Sequence, residues 1–115
     1  MELQIKINDN WIDFKNVTIM DYNFLDTDFL FLLNNEIKAS GQLRIDYTDI
    51  YIDFIETTEK RKGYGKMFIE YLKQQKQVER ITGQSTEEAY IFWESMNAVL
   101  NHRTYKEEGV YSFYI

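Results

Sequence analysis

A chain of 115 residues has room for one domain and one core, since a chain of this size buries roughly two-thirds of the surface it exposes when unfolded. The 44 % hydrophobic and 17 % aromatic content is spread without tracts, which excludes disorder, and no apolar run reaches the ~18 to 20 residues of a membrane span. The net charge of −6 disfavours nonspecific binding to nucleic acid, yet seven of the thirteen basic residues fall between Lys60 and Arg80. The chain begins MELQIKIND, with no basic segment leading into an apolar one, and it has no cysteine. The expectation is a single domain over 1–115 in the cytoplasm, with no membrane association.

The first half has the period of strands. Leu3, Ile5 and Ile7 alternate, "NDN" turns, and an apolar pattern resumes from Trp11 to Ile19. After "DYNFLDTD", Phe29 to Leu33 is a short apolar run, and Asn34-Asn35 makes a tight turn into Glu36 to Ile45. A turn at "DYTD" leads into Ile50 to Ile55, where Ile50, Ile52 and Phe54 alternate with Tyr51, Asp53 and Ile55. These segments form an antiparallel meander.

The second half changes period. Tyr64, Met67, Phe68, Tyr71 and Leu72 lay one apolar stripe along a helix from about Tyr64 to Gln77. Ala89, Phe92, Trp93, Met96 and Leu100 repeat that spacing, and Ser85 with Glu88 supplies a capping box for a second helix. Between the helices, Glu79 to Gly83 is long enough for one short strand. The tail "NHRTYKEEGVYSFYI" reads as a hairpin turning at Glu107 to Gly109 and ending in an aromatic strand. Strand, helix and strand in succession require a parallel crossover. The predicted fold is therefore α/β in the α+β sense: a mixed, mainly antiparallel central sheet of about six or seven strands with two main helices.

The stretch "EKRKGYGKMF", Glu59 to Phe68, leaves a strand and enters a helix. The first amides of a helix lack helical partners, the macrodipole there is positive, and glycines let an anion approach the main chain. Lys60, Arg61, Lys62 and Lys66 add attraction worth on the order of 0.3 to 1 kcal/mol each. A phosphate site fits this position, and so does a solvated turn whose glycines serve only backbone geometry. Walker spacing is absent, and only one G-x-G occurs, which removes the dinucleotide fingerprint.

The segment "IYIDFIETTEKRKGYGKMFIEYL" resembles motif A of the GNAT superfamily of acyl-CoA-dependent N-acetyltransferases. That signature, Gln/Arg-x-x-Gly-x-Gly/Ala between a strand and a helix, reads here Lys60-Arg61-Lys62-Gly63-Tyr64-Gly65. Downstream, "STEEAYIFWESMNAV" is similar to the family's next helix, with Thr86 in place of asparagine, Ala89 matching, Trp93 in place of tyrosine, Asn97 in place of glycine and Ala98 in place of phenylalanine. The resemblance covers about Asp49 to Val99. It implies acetyl-CoA as co-substrate, with its pyrophosphate on the amides around Arg61, Lys62, Gly63, Tyr64, Gly65 and Lys66, beside Lys60 and Thr86. It also implies that Ile55, Glu56 and Thr57 bind the pantetheine arm like an added strand, one amide there polarising the thioester carbonyl.

The same resemblance implies a primary amine as acceptor, on a protein lysine or N-terminus, and leaves room for a homodimer. Histone-type members carry a glutamate as general base eleven residues before the motif, which counts back from Lys60 to Asp49, with Asp53 and Glu56 as substitutes. The family's tyrosine acid is replaced by Trp93, whose indole N–H donates a hydrogen bond but no proton; Tyr90 and Tyr105 are the alternatives. Two helices usual between the family's first strands have no counterpart in "NVTIMDYNFLDTDF", so the acceptor side is expected to be open. A non-catalytic module of the same shape, binding acyl-CoA or a protein, is the alternative reading.

Other chemistry has little support in the sequence. His102 is the sole histidine, and with no cysteine the zinc sites and Cys/His dyads fall away. Acidic residues are scattered and not arranged as a calcium loop, so no metal is expected. No RNP-like strand is present, and no nucleic-acid partner is expected.

Overall fold

The computed structural model describes residues 1–115. One sheet of eight strands runs through the molecule in the order β2-β1-β3-β4-β5-β6-β8-β7. Its strands are β1 (Glu2–Ile7), β2 (Asn10–Asp13), β3 (Leu25–Leu33), β4 (Glu36–Asp46), β5 (Asp49–Thr57), β6 (Arg80–Ser85), β7 (Val99–Asn101) and β8 (Tyr111–Tyr114). The helices are α1 (Tyr64–Lys73), α2 (Tyr90–Ser95) and α3 (His102–Glu108). No helix is long and apolar enough to cross a membrane.

The tight turns lie where the sequence predicts them, and for a backbone reason. Asn8-Asp9 and Asn34-Asn35 all have positive φ, the conformation that two-residue hairpin loops demand and that asparagine and aspartate tolerate. Every sheet pairing is antiparallel except β5 with β6, which α1 connects as a crossover. The mixed, mainly antiparallel sheet is thus as predicted, with more strands than the six or seven expected.

The additional elements come from the second half. The apolar spacing from Ala89 to Leu100 suggests one helix, but Asn97 takes φ 63°, α2 stops at Ser95, and Val99–Asn101 pairs with β8 instead. The expected tail hairpin keeps its antiparallel pairing, with a third helix in place of a tight turn. The Asn101 side chain accepts from the amides of Arg103 and Thr104 to start α3, and Gly109 at φ 78° ends it. The Ser85–Glu88 capping box does not form: Ser85 belongs to β6, and it is Thr86 whose hydroxyl accepts from the Ala89 amide at 3.2 Å. α1 ends at Lys73, short of Gln77. The Gln77 amide group is instead committed to the chain after β2, donating to the Val17 carbonyl at 2.8 Å and accepting from the Ile19 amide at 3.0 Å.

One face of the sheet carries the core. Leu3, Ile5, Phe29, Phe31, Leu43, Ile45, Ile50 and Ile52 are buried against Phe68, Ile69 and Leu72 of α1, Trp93 of α2 and Met96 just after it. On the other face, Gln4, Lys6, Asp26, Asp28, Gln42 and Arg44 are exposed or half-buried, as period-two alternation requires. Phe68 fixes where α1 sits: its ring stacks on Phe29 at 4.4 Å and 9° and tilts against Phe31 at 5.7 Å. Since Phe68 is fully buried, Phe68→Ala is expected to cost about 3–5 kcal/mol of stability. Urea unfolding checks this as a lower midpoint with an unchanged slope.

Candidate functional site

The site begins where two strands part. β5 and β6 run side by side from Asp49↔Arg80 to Ile52↔Gly83, and there their pairing stops. Beyond that point β5 stays with β4, ending at Thr57↔Ala39, while β6 stays with β8, ending at Ser85↔Tyr111. From Asp53 to Thr57, β5 therefore has a partner on one edge only. Backbone N–H and C=O groups on its other edge face the gap, available to an extended ligand.

A bulge sets the geometry at the fork. Leu43 lies opposite Ile52 and Gln42 opposite Phe54, so Asp53 is the extra residue on β5. The bulge also shifts the alternation. Phe54 and Glu56, opposite Gln42 and Ser40, lie on the uncovered face with Asp49 and Tyr51, whereas simple alternation puts Glu56 on the face opposite Asp49.

The gap is a cleft of about 330 Å³. Ile52 to Ile55 and Thr57 form one wall, Gln84 and Thr86 another, and Gly65, Ala89, Phe92 and Trp93 close it on the helical side. Among these, Asp53 is the only acidic or basic residue. Gly65 brings the α1 terminus against the cleft: a Cβ there would lie 3.4 Å from the Phe92 ring and 3.8 Å from the Thr57 methyl.

At that terminus the first backbone amides are free. The first helical bond is Met67 N–H to the Gly63 carbonyl at 2.9 Å, and the amides of Tyr64, Gly65 and Lys66 make no backbone hydrogen bond. Gly63 precedes them in the left-handed region at φ 77°, and no side chain caps the helix. Lys60, Arg61, Lys62 and Lys66 are exposed, and none forms an ion pair. The loop is pinned at its start, where the Thr58 amide donates to the Lys38 carbonyl at 3.0 Å. It is steadied again at Tyr64, whose hydroxyl donates to Glu59 at 3.3 Å while the Lys38 ammonium lies 5.2 Å from its ring.

The remaining residues singled out from sequence divide between this cleft and other places. Ile55, Thr57, Gly65, Thr86 and Trp93 line the cleft, whereas Lys60, Arg61, Lys62, Gly63, Tyr64 and Lys66 lie outside the lining, on the loop and first turn around Gly65, and Lys62, Gly63 and Lys66 border a second, shallower concavity with Met67 and Glu70. Glu56 lies on β5 but outside the lining. Asp49 begins β5, between Asp46 and Arg80, and is four residues from Asp53 along the strand, about 13 Å at ~3.3 Å per residue. Trp93 is a core residue as well as a wall, 6 % exposed and stacked on Phe113 at 4.0 Å. Asp53 gains its position from the bulge, which depends on the cross-strand register and leaves no mark in local spacing.

Tyr90 and Tyr105 lie outside the cleft lining. The Tyr90 hydroxyl meets His102 Nε2 at 3.2 Å, and its pKa is raised, chiefly by desolvation and then by Glu94. Tyr105 donates to Glu87 at 2.8 Å, and that hydrogen bond raises its pKa. Both phenols keep their protons at neutral pH. No group of three or more His, Cys, Asp or Glu side chains is placed to hold a metal ion.

An uncapped helix terminus flanked by unpaired cations is expected to bind inorganic pyrophosphate. Replacing Lys62 and Lys66 together by alanine removes roughly 0.6–2 kcal/mol of attraction and should weaken binding by about threefold to thirtyfold. Calorimetric titration at two ionic strengths checks it, with the difference between the proteins shrinking at high salt. No protein-family model and no curated protein sequence matches the chain, so the meaning of the cleft has to come from its own geometry.

Proposed function

We propose that the protein is an acyl-CoA-dependent N-acyltransferase of GNAT type, with acetyl-CoA as donor and a primary amine on a protein as acceptor. The observation that carries the reading is the continuity of the fork with the α1 terminus. An unpaired strand edge from Asp53 to Thr57 meets, at Gly65, a helix start with three free amides, with four unpaired cations on that start and the loop before it. Acyl-coenzyme A has that layout: a diphosphate attached to an extended arm with amides that pair like a strand, ending in a thioester. Its diphosphate fits at Gly63 to Lys66, its arm along Thr57 and Ile55, and its thioester at the fork.

In the reaction, the amine nitrogen attacks the thioester carbonyl, forming the C–N bond and a tetrahedral oxyanion. A β5 amide on the free edge donates to that oxyanion. Collapse breaks the C–S bond and releases coenzyme A as thiolate. The amine proton passes to Asp53, directly or through one water, and ends on the thiolate sulfur. Asp53 has this role because it is the only acidic or basic residue of the cleft, and Asp49 is too far along β5 to share it. A thiol with a reference pKa near ~8.5 leaves without a strong acid, so Trp93 in place of tyrosine slows turnover without forbidding it. The acceptor approaches from the face that carries no helix, which is open enough for an amine on a protein surface.

One observation favours a second reading, an acyl-CoA-binding module without turnover: no tyrosine lines the cleft. Calorimetry with acetyl-CoA and desulfo-CoA tests the binding both readings require, and no binding to either overturns both. With binding established, thiol release in the presence of a lysine-rich peptide separates enzyme from module. Asp53→Asn is expected to lower thiol release by about 10²–10⁴-fold and spare affinity, whereas Asp49→Asn leaves both unchanged. Equal loss in the two variants would remove Asp53 from its role.

A further inference from the structure

We infer that Trp93, braced by Phe113, is the wall that selects the donor and restricts it to short acyl groups of acetyl or propionyl size. The inference rests on the acyl-CoA reading above. With the diphosphate at α1 and the arm along β5, the thioester arrives at Ile52 and Asp53, where β5 and β6 come together. The acyl chain cannot continue between the strands, because Ile52 and Gly83 are already paired. It must turn toward the helices or toward the uncovered face.

Toward the helices it meets Trp93. The indole is 6 % exposed, lines the cleft, and lies on the Phe113 ring at 4.0 Å and 25°. Phe113 has no room to withdraw. Its ring fills the space over Gly83, where a Cβ would lie 2.7 Å from the ring and 2.9 Å from the Ile52 carbonyl oxygen. Phe92 completes the wall, edge-on to Trp93 at 4.9 Å and 90°, but is only half-buried. Trp93 is therefore the member of the wall that cannot yield without disturbing the core.

Toward the uncovered face, a longer chain occupies the path the amine needs. The whole cleft, at about 330 Å³, is near the small end of the ~300–1,000 Å³ range of ligand sites, and the pantetheine arm shares it. Added methylenes thus either force apart a packed aromatic stack or obstruct the acceptor.

The test measures binding without acceptor, so it does not depend on turnover. Acetyl-CoA, butyryl-CoA and hexanoyl-CoA are titrated calorimetrically into the wild-type chain, Trp93→Leu and Phe113→Leu, each checked by thermal unfolding. The wild type is expected to bind acetyl-CoA about tenfold or more tightly than hexanoyl-CoA, the scale set by forcing methylenes into packed surroundings. In Trp93→Leu the preference should fall to within about threefold, mainly through tighter hexanoyl-CoA binding. Phe113→Leu, which removes the brace, should move the same way and carries the comparison if Trp93→Leu does not fold. Equal wild-type affinities for the three donors, or an unchanged ratio in a folded variant, would overturn selection by Trp93 and leave the acyl-CoA reading intact. Failure to bind any of the three would overturn that reading and the inference together.

Discussion

Past Ile52, β5 hydrogen-bonds to β4 alone, and the whole cleft depends on that one-sided pairing. A strand in the middle of a sheet ordinarily satisfies both edges, and an unpaired internal edge leaves amides and carbonyls that must find water or a ligand. Three features keep β5 and β6 from closing the gap. The bulge at Asp53 bends β5, the β8 pairing holds β6 on the far side, and Phe92 and Trp93 line the gap from the helical side. The opening is built from register and packing, with no mobile loop required.

The second determinant is the seat of α1. Its apolar stripe, anchored by Phe68 on Phe29, sets the height at which the helix starts and so where its free amides point. Gly65 lets that start approach Thr57 and Phe92 closely enough for its free amides and the cleft to adjoin. Around them, four unpaired cations stand out on a chain of net charge −6. Such a local patch draws anions to one entrance while the rest of the surface repels them, a contrast that favours a compact polyanion over a long one such as nucleic acid.

Much of this was legible in the sequence because it is periodic or local. Alternation marked the strands, Asn34-Asn35 marked a hairpin, and the stripe from Tyr64 to Leu72 marked α1 together with the basic loop before it. The misreadings share a cause, in that tertiary register decided the outcome. Met96 and Leu100 continue a helical spacing, yet Asn97 in the left-handed region releases Leu100 to pair with Phe113. Asn101 and Gly109 are cap residues with a helix between them, but seven residues separating strand signals look equally like a long hairpin loop. The bulge is the least legible of all. One extra residue on β5 opposite Gln42 and Leu43 moves Glu56 onto the same face as Asp49 and sets Asp53 at the fork, and nothing around Asp53 announces it.

The two faces of the sheet make unequal demands on any chemistry at the fork. The helical face is packed with aromatic rings that wall the cleft, so on the acyltransferase reading the donor is recognised there through shape and main-chain pairing. The other face carries no helix, and its side chains around Gln42 and Phe54 are exposed, with Phe54 at 45 %. An acceptor there gains little from burial and must be held by the rest of the molecule that bears it. A small free amine would leave the fork as readily as it arrived, whereas an amine on a protein brings further contact area to the same flat face. On the acyltransferase reading, the missing cover over the sheet therefore shifts the selection of the acceptor from the cleft to the surface around it, and a macromolecular amine is the acceptor that would suit this geometry best.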